Sequence, residues 1–194
     1  IAAAALLMLL AAREWTAFLG GVQPLIRHGY FLLLTAAYIA SYWLVPDRLD
    51  LSFVLWVALT WWLVALVWIL RYPVPISPFA AGLAGIFVLV PAWISLLGIL
   101  QVAGQGSALL LLVLAIIWAA DIGAYFAGHR WGRLTLAPQV SPGKTLEGVA
   151  GGLVSAVLVA GAGGSLLGLP LAVMLPLGLC MAALSIVGDL VESM

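Results

Sequence analysis

A few ionisable residues lie in an otherwise apolar chain, and their types could hold a phosphate and a divalent cation. Asp121 interrupts an apolar run, Lys144 lies in the turn at 141–145, and Asp189 and Glu192 come close to the end of the sequence. Carboxylate oxygens suit Mg²⁺, which usually takes one or two of them together with substrate phosphates and water. A lysine nearby can neutralise phosphate charge. These residue types indicate chemistry on a phosphorylated substrate.

Asp121 is the ionisable residue placed deepest in an apolar run. A charged side chain within a membrane is costly and usually faces a cavity, an ion or a partner. Tyr125 follows by four residues and would lie on the same helical face. The alternative is that Asp121 lies near the cytoplasmic end of its helix and pairs with Arg130 or reaches solvent. We favour the functional interpretation.

The turn at 141–145, Ser-Pro-Gly-Lys-Thr, has the residue order of a helix start. Ser141 is the predicted N-cap and Pro142 the first helical residue. The N–H groups of Gly143 and Lys144 would then lie at the positive end of the helix dipole, where a phosphate can bind. An ordinary capped helix with a solvated lysine would explain the same residues.

Further acidic residues flank this turn and close the chain. Glu147 follows Lys144 by three residues, so it could pair with that lysine or help position a cation. Asp189, Glu192 and Ser193 share one helical face by their spacing, so the two carboxylates could point into one polar cavity. A solvated helix end is the alternative explanation for the last group.

The composition indicates where such a site would lie. Of the 194 residues, 66% are hydrophobic and only 7% are charged, whereas a soluble domain has about 25% charged residues. The net charge is zero, so nucleic-acid binding is not expected. A membrane-crossing helix needs about 20 mostly apolar residues. The predicted fold is an all-α, polytopic transmembrane helical bundle with about seven spans, at roughly 1–20, 30–46, 51–71, 79–100, 107–128, 147–168 and 170–193.

The basic residues predict the orientation of these spans. Lys and Arg accumulate in cytoplasmic loops, and all of them except Arg48 fall on one side when the spans alternate. The turn with Lys144 is therefore expected to face the cytoplasm. Gly148 and Gly152 have the spacing that lets another helix approach closely. His28 and His129 are predicted to be loop residues, without the spacing of a metal site.

Three sequence blocks, WAADIGAYFAG, APQVSPGKTLEGVAGG and LSIVGDLVESM, resemble the bacterial phosphatidate cytidylyltransferases, also called CDP-diacylglycerol synthases. The resemblance covers about residues 115–194. It implies a multispanning enzyme of the bacterial inner membrane, with its active site facing the cytoplasm. Such an enzyme condenses CTP with phosphatidic acid to give CDP-diacylglycerol and pyrophosphate, using Mg²⁺. Leu146 and Ile122 depart mildly from the family's usual Trp and Thr.

The resemblance also implies roles for residues of the three blocks. Three catalytic residues are implied: Asp121, Lys144 and Asp189. The implied Mg²⁺ ligands are Asp121, Asp189 and Glu192. The implied substrate contacts are Tyr125, Ser141, Gly143, Thr145, Glu147 and Ser193. The family's signature segment would begin at Ser193, so we expect the 194-residue chain alone to be inactive.

Two regions are predicted: transmembrane scaffold helices at 1–106 and a transmembrane catalytic region at 107–194. The substrates implied are CTP and phosphatidic acid, in contact with membrane lipid, and a homodimer is left open. One alternative is a CTP-dependent polyprenol or phytol kinase. A second is a non-enzymatic multispanning transporter, and a third is a purely structural membrane scaffold.

Overall fold

The computed structural model describes residues 1–44, 51–73 and 75–193, which form seven α-helices and one short hairpin. The predicted second-span end at 46, the residue Arg48 and the chain end at 194 lie outside this part. The elements are α1 (Ala2–Trp15) with a 3₁₀ turn (Thr16–Leu19), α2 (Pro24–Leu44), α3 (Leu51–Leu70), α4 (Pro78–Leu100), α5 (Gly106–Trp131), β1 (Thr135–Ala137), β2 (Ser141–Thr145), α6 (Leu146–Leu166) and α7 (Leu171–Glu192).

The helices confirm the predicted all-α transmembrane class. Within the described residues, six helices are long and apolar enough to cross a membrane, namely α1 with its 3₁₀ turn and α3 to α7. The expectation of about seven spans therefore fits only roughly, because α2 is not among the six. Helix α2 begins at Pro24, six residues before the predicted start at 30, and so includes the polar residues Arg27 and His28. Proline suits a first helical position because its N–H would have no intrahelical acceptor there.

The chain divides into two compact units. The first comprises residues 1–64 and 74–106, and the second comprises 65–73 and 107–194. The functional division into scaffold at 1–106 and catalytic region at 107–194 stays a prediction.

Aromatic side chains join the helices of the first unit. Trp15 Nε1 donates to Ala81 O at 2.9 Å, and Tyr30 Oη donates to Gly82 O at 2.8 Å. Both rings reach α4 because Gly85 has no side chain; a Cβ there would overlap Tyr30 Oη and Trp15 Nε1. Lipid tails cannot form hydrogen bonds, so these bonds satisfy polar atoms that would otherwise have no partner in the membrane.

In the second unit, α6 and α7 pack through small residues. Ala156, Ala160 and Ala182 are buried, as is Gly178. A Cβ added at Gly178 would lie 2.6 Å from Ala160 Cβ and 3.1 Å from Ala156 O. Small residues allow the helix backbones to approach closely. The van der Waals contacts between them stabilise the helix pair in lipid, where no hydrophobic effect drives helices together. This contact places the C-terminal half of α7 beside the start of α6.

Small residues also bring α5 against α6. A Cβ added at Gly152 would lie 2.9 Å from Ala120 O, and one at Gly148 would lie 3.0 Å from Ala124 O. Gly128 faces Gly148, with 3.5 Å between the added Cβ and the opposing Cα. The predicted close approach at Gly148 and Gly152 is confirmed.

The connection between α5 and α6 is a β-hairpin, which corrects the predicted helix start at Ser141. Strands β1 and β2 are antiparallel, with Thr135 opposite Thr145 and Ala137 opposite Ser141, and with an irregularity between these pairs. Helix α6 begins only at Leu146. Residues 141–145 therefore pair with an earlier segment, and only the last of them, Thr145, caps the following helix.

Candidate functional site

The second unit contains a cavity of about 450 Å³. This volume falls within the range of about 300–1,000 Å³ typical of small-molecule sites. Four elements supply its walls: α5 (Ala124, Tyr125, Gly128, His129), β2 (Gly143, Lys144, Thr145), α6 (Gly148, Val149) and α7 (Ile186, Asp189). Gly128 and Gly148 lie where α5 and α6 face each other, and they let these two helices approach closely. The hairpin and α7 complete the walls of the cavity.

Lys144 and Asp189 form an ion pair in this cavity. Lys144 Nζ lies 3.1 Å from Asp189 Oδ2, and the two side chains are 28% and 50% exposed. The Nζ atom itself is buried, and no other described residue gives it a hydrogen-bond partner. An ammonium group has three donors, so this arrangement leaves donor capacity directed at the cavity. A buried cation with unused donors is suited to a phosphate oxygen.

Asp121 lies one helical turn before Tyr125 on α5. It interacts electrostatically with Asp189 and with Lys144, so the structure brings together the three residues predicted to be catalytic. Its side chain is exposed, and although Asp121 is described, it is not one of the residues that line the cavity.

The donor chemistry of this group fits a magnesium ion that also binds substrate. Among residues 1–44, 51–73 and 75–193, no three His, Cys, Asp or Glu side chains cluster closely enough to hold a metal alone. Asp121 and Asp189 are nevertheless two carboxylates from different helices that interact with each other. Mg²⁺ is commonly bound by one or two carboxylates plus phosphates and water. Glu192 is the last residue of α7 and does not line the cavity, so its role as a ligand stays a prediction.

Thr145, rather than Ser141, is the N-cap of α6. Thr145 Oγ1 accepts a hydrogen bond from Gly148 N at 3.1 Å. The N–H of Leu146 donates to Leu134 O at 2.8 Å. Gly143 and Lys144 lie in β2, so the predicted phosphate cradle at a helix N-terminus is wrong. Gly143 and Thr145 do line the cavity, whereas Ser141 does not, although it is among the described residues.

Glu147 stabilises the loop instead of pairing with Lys144. Its Oε2 accepts hydrogen bonds from Arg133 N at 3.1 Å and from Leu134 N at 3.3 Å. The ion-pair partner of Lys144 is Asp189. Glu147 therefore ties the chain that follows α5 to the first turn of α6. Its carboxylate fixes the base of the hairpin that carries the lysine.

Ser193 follows the last helical residue of α7. Its Oγ donates to Asp189 O at 2.7 Å, so the hydroxyl closes the helix end on the backbone of a cavity residue. Ser193 itself does not line the cavity, although the structure describes it. Its predicted contact with substrate stays a prediction.

His129 lines the cavity, although its sequence position predicted only a loop residue. It lies in the last turn of α5, not in a loop, and His28 is likewise helical, in α2. The rings of Tyr125 and His129 are nearly parallel, with an interplanar angle of 4° and centroids 6.0 Å apart. The spacing of Asp121, Tyr125 and His129 at i, i+4 and i+8 on one helical face was the signal that could have revealed it.

Comparison with known proteins shows the family. A model of the cytidylyltransferase family matches residues 1–194. This chain belongs to the cytidylyltransferase family. The resemblance drawn from the three sequence blocks is thereby confirmed.

Several bacterial relatives carry the name phosphatidate cytidylyltransferase. The one from Pseudomonas aeruginosa is 39% identical over 149 residues, covering 74% of this chain and 53% of the relative. The one from Haemophilus influenzae is 34% identical over 209 residues, covering 93% of this chain and 71% of the relative. The one from Bacillus subtilis is 41% identical over 80 residues, or 40% and 30% of the two chains. The chain thus spans about half the length of the first relative.

Proposed function

We propose that this chain carries the cytidylyltransferase site of a phosphatidate cytidylyltransferase, which converts CTP and phosphatidic acid to CDP-diacylglycerol and pyrophosphate. The observation that carries the proposal is the buried Lys144 ammonium, paired with Asp189 inside the cavity. The name shared by the relatives, phosphatidate cytidylyltransferase, supports this reaction, and the long apolar helices agree with a lipid substrate.

The reaction requires positioning and charge neutralisation. A phosphatidate oxygen attacks the α-phosphorus of CTP and forms a new P–O bond. The bond from that phosphorus to the bridging oxygen of the β-phosphate breaks, and pyrophosphate leaves with the electron pair. The attacking phosphate oxygen is already anionic near pH 7, since the second pKa of a phosphomonoester is about 6. No protein nucleophile or base is therefore required.

Lys144 supplies positive charge where the phosphates meet. Its free donors bind a phosphate oxygen, and Asp189 holds the ammonium in place. A fixed cation in a partly enclosed cavity stabilises the negative charge that develops on the leaving pyrophosphate. Gly143 and Thr145 on either side of the lysine complete this wall.

Asp121 and Asp189 would hold Mg²⁺ together with the triphosphate. The ion, when bound, neutralises phosphate charge and orients the triphosphate. Glu192 and Ser193 remain proposed members of the same site, because they follow Asp189 on the last turn of α7. The bacterial inner membrane, with the cavity open to the cytoplasm, is the proposed location. CTP is a cytoplasmic nucleotide, and the segment beside the cavity carries Arg130, Arg133 and Lys144, residue types that accumulate in cytoplasmic loops.

The test is product analysis with the full-length protein in membrane vesicles, supplied with labelled CTP, phosphatidic acid and Mg²⁺. We expect CDP-lipid and pyrophosphate in equal amounts, and loss of turnover on chelation. A phosphorylated alcohol with CDP would instead show the lipid kinase alternative. Lys144→Ala and Asp121→Asn should each lower kcat/KM by roughly 100-fold or more. Arg13→Ala removes an exposed positive charge from α1, which does not line the cavity, and should retain activity.

The expected inactivity of the 194-residue chain alone stays a prediction. It is tested by expressing this chain beside the full-length protein in the same vesicles. Equal turnover by the two would contradict it. Turnover by neither, with both correctly inserted, would refute the proposed function.

A further inference from the structure

Two aromatic residues on the α5 wall of the cavity have no role in the phosphate chemistry described above. Tyr125 and His129 are one helical turn apart, and both residues line the cavity. Their planes differ by only 4°, with centroids 6.0 Å apart. Both side chains are exposed, Tyr125 by 66%. The α5 wall therefore presents two nearly parallel aromatic rings, both exposed in the described chain.

The opposite chemistry lies on the β2 wall of the same cavity. Lys144 offers a buried ammonium with unused donors, which suits an anionic group. A ligand that fills the cavity must then combine a phosphate with a part suited to flat rings. A lipid acyl chain fits this poorly, because it is flexible and gains nothing from ring alignment. A nucleobase is planar, and every base has a π-face that stacks on aromatic side chains.

We propose that Tyr125 and His129 form the stacking platform for the nucleobase of the nucleotide substrate, with its triphosphate at Lys144. This inference rests on the proposed function for the identity of the nucleotide, CTP. His129 is thereby assigned a binding role that its position in the sequence did not suggest.

This proposal predicts that binding of the base and binding of the phosphates can be weakened separately. Removal of a ring weakens binding of the base and leaves the phosphate contact intact, whereas removal of the lysine weakens every phosphate-bearing ligand. Loss of one stacked ring typically weakens binding on the order of 10-fold. Replacement by phenylalanine keeps the flat surface and should retain most of the affinity.

The experiment is equilibrium binding of two probes, CTP and inorganic tripolyphosphate, to the 194-residue chain in lipid nanodiscs with Mg²⁺ and without phosphatidic acid. We expect His129→Ala and Tyr125→Ala to weaken CTP about 10-fold with tripolyphosphate unchanged. His129→Phe and Tyr125→Phe should stay near the parent. Lys144→Ala should weaken both probes. The matched control is Phe126→Ala, an exposed ring on α5 that, like the residues above, is described but does not line the cavity.

The outcomes separate this inference from the proposed function. Unchanged CTP affinity in both alanine variants, or equal loss for CTP and tripolyphosphate, overturns the stacking platform. So does a parent chain that binds tripolyphosphate as tightly as CTP. If the pattern holds but the full-length protein makes no CDP-lipid, the platform stands and the proposed function fails. If the full-length protein makes CDP-lipid but the alanine variants leave CTP affinity unchanged, the proposed function stands and the stacking platform fails.

Discussion

Gly152→Ala is expected to destabilise the protein although alanine is the better helix former. Gly152 is buried in α6 where α5 crosses it. The new Cβ would lie 2.9 Å from Ala120 O and 3.3 Å from Ala124 Cβ, whereas ordinary contacts begin at 3.4 Å. The carbonyl belongs to the α5 backbone, so it cannot rotate away as a side chain could. The two helices must separate by roughly half an ångström.

The net effect follows from two opposing terms. Replacing glycine by alanine within a helix contributes about 1 kcal/mol of stability. Overpacking of a well-packed contact costs about 1–3 kcal/mol. Gly152→Ala is therefore expected to lower the free energy of unfolding by up to about 2 kcal/mol. Gly29→Ala is the control, because Gly29 is also helical and a Cβ there meets nothing within 4 Å. It should raise stability by up to about 1 kcal/mol.

Thermal unfolding in nanodiscs, followed by circular dichroism, measures both variants against the parent. A difference of 1 kcal/mol corresponds to about 2–4 °C for a chain of this size, so the two variants should move Tm in opposite directions. CTP affinity should also fall in Gly152→Ala, because α5 and α6 are both walls of the cavity. Equal stabilisation by Gly152→Ala and Gly29→Ala would refute the close helix crossing as the reason for glycine.

Substitutions at three further positions test other contacts. Thr145→Ala should cost about 1 kcal/mol as a lost N-cap, whereas Thr145→Ser should retain the stability; equal loss in both would contradict the capping role. Glu147→Ala should speed amide hydrogen exchange at Arg133 and Leu134, while Glu147→Gln, which keeps an acceptor, should speed it less; unchanged exchange would show that these two hydrogen bonds do not hold the loop. Trp93→Phe should lower the free energy of unfolding by about 0.5–1.5 kcal/mol, because Trp93 Nε1 donates to Tyr38 O at 3.0 Å in the first unit. Unchanged stability would show that this buried hydrogen bond makes no net contribution.

The helices were predictable from composition because a membrane helix needs only length and apolarity. Helix α3, predicted at 51–71, runs Leu51–Leu70, and α4, predicted at 79–100, runs Pro78–Leu100. Helix α2 was the exception, since its first two turns carry Arg27 and His28, and hydropathy alone predicts a loop for such polar residues. Its backbone bonds are local, so polar side chains did not prevent the helix from starting at Pro24.

The hairpin was not predictable because its decisive contacts are not local. The segment 141–145 is compatible with a helix N-terminus at Ser141 and with one at Thr145, where a threonine cap precedes Leu146 and the acidic Glu147. The pairing of β2 with β1 selects the second. That pairing depends on where α5 ends, and no local propensity encodes it.

The meeting of Asp121, Lys144 and Asp189 was likewise beyond spacing alone. Spacing places each residue on a helix face or in a turn, but the order in which α5, α6 and α7 pack is not written in any one helix. The small residues Gly148 and Gly152 indicated that some helix approaches, without saying which. The resemblance to a known family supplied the grouping, and the electrostatic interaction of the three side chains in the structure agrees with it.

The position of Lys144 on a strand changes what its removal should do. A helix N-terminus binds phosphate through several backbone N–H groups and its dipole, so loss of one side chain would leave part of the affinity. Here the first N–H of α6 donates to Leu134 O and that of Gly148 to Thr145. Both donors are therefore engaged, and the ammonium is the principal attraction for a phosphate. Lys144→Ala should accordingly reduce tripolyphosphate affinity roughly 10- to 100-fold, and Lys144→Arg, which keeps the charge, should restore a large part. Near-parent affinity in Lys144→Ala would show that backbone donors bind the phosphate after all.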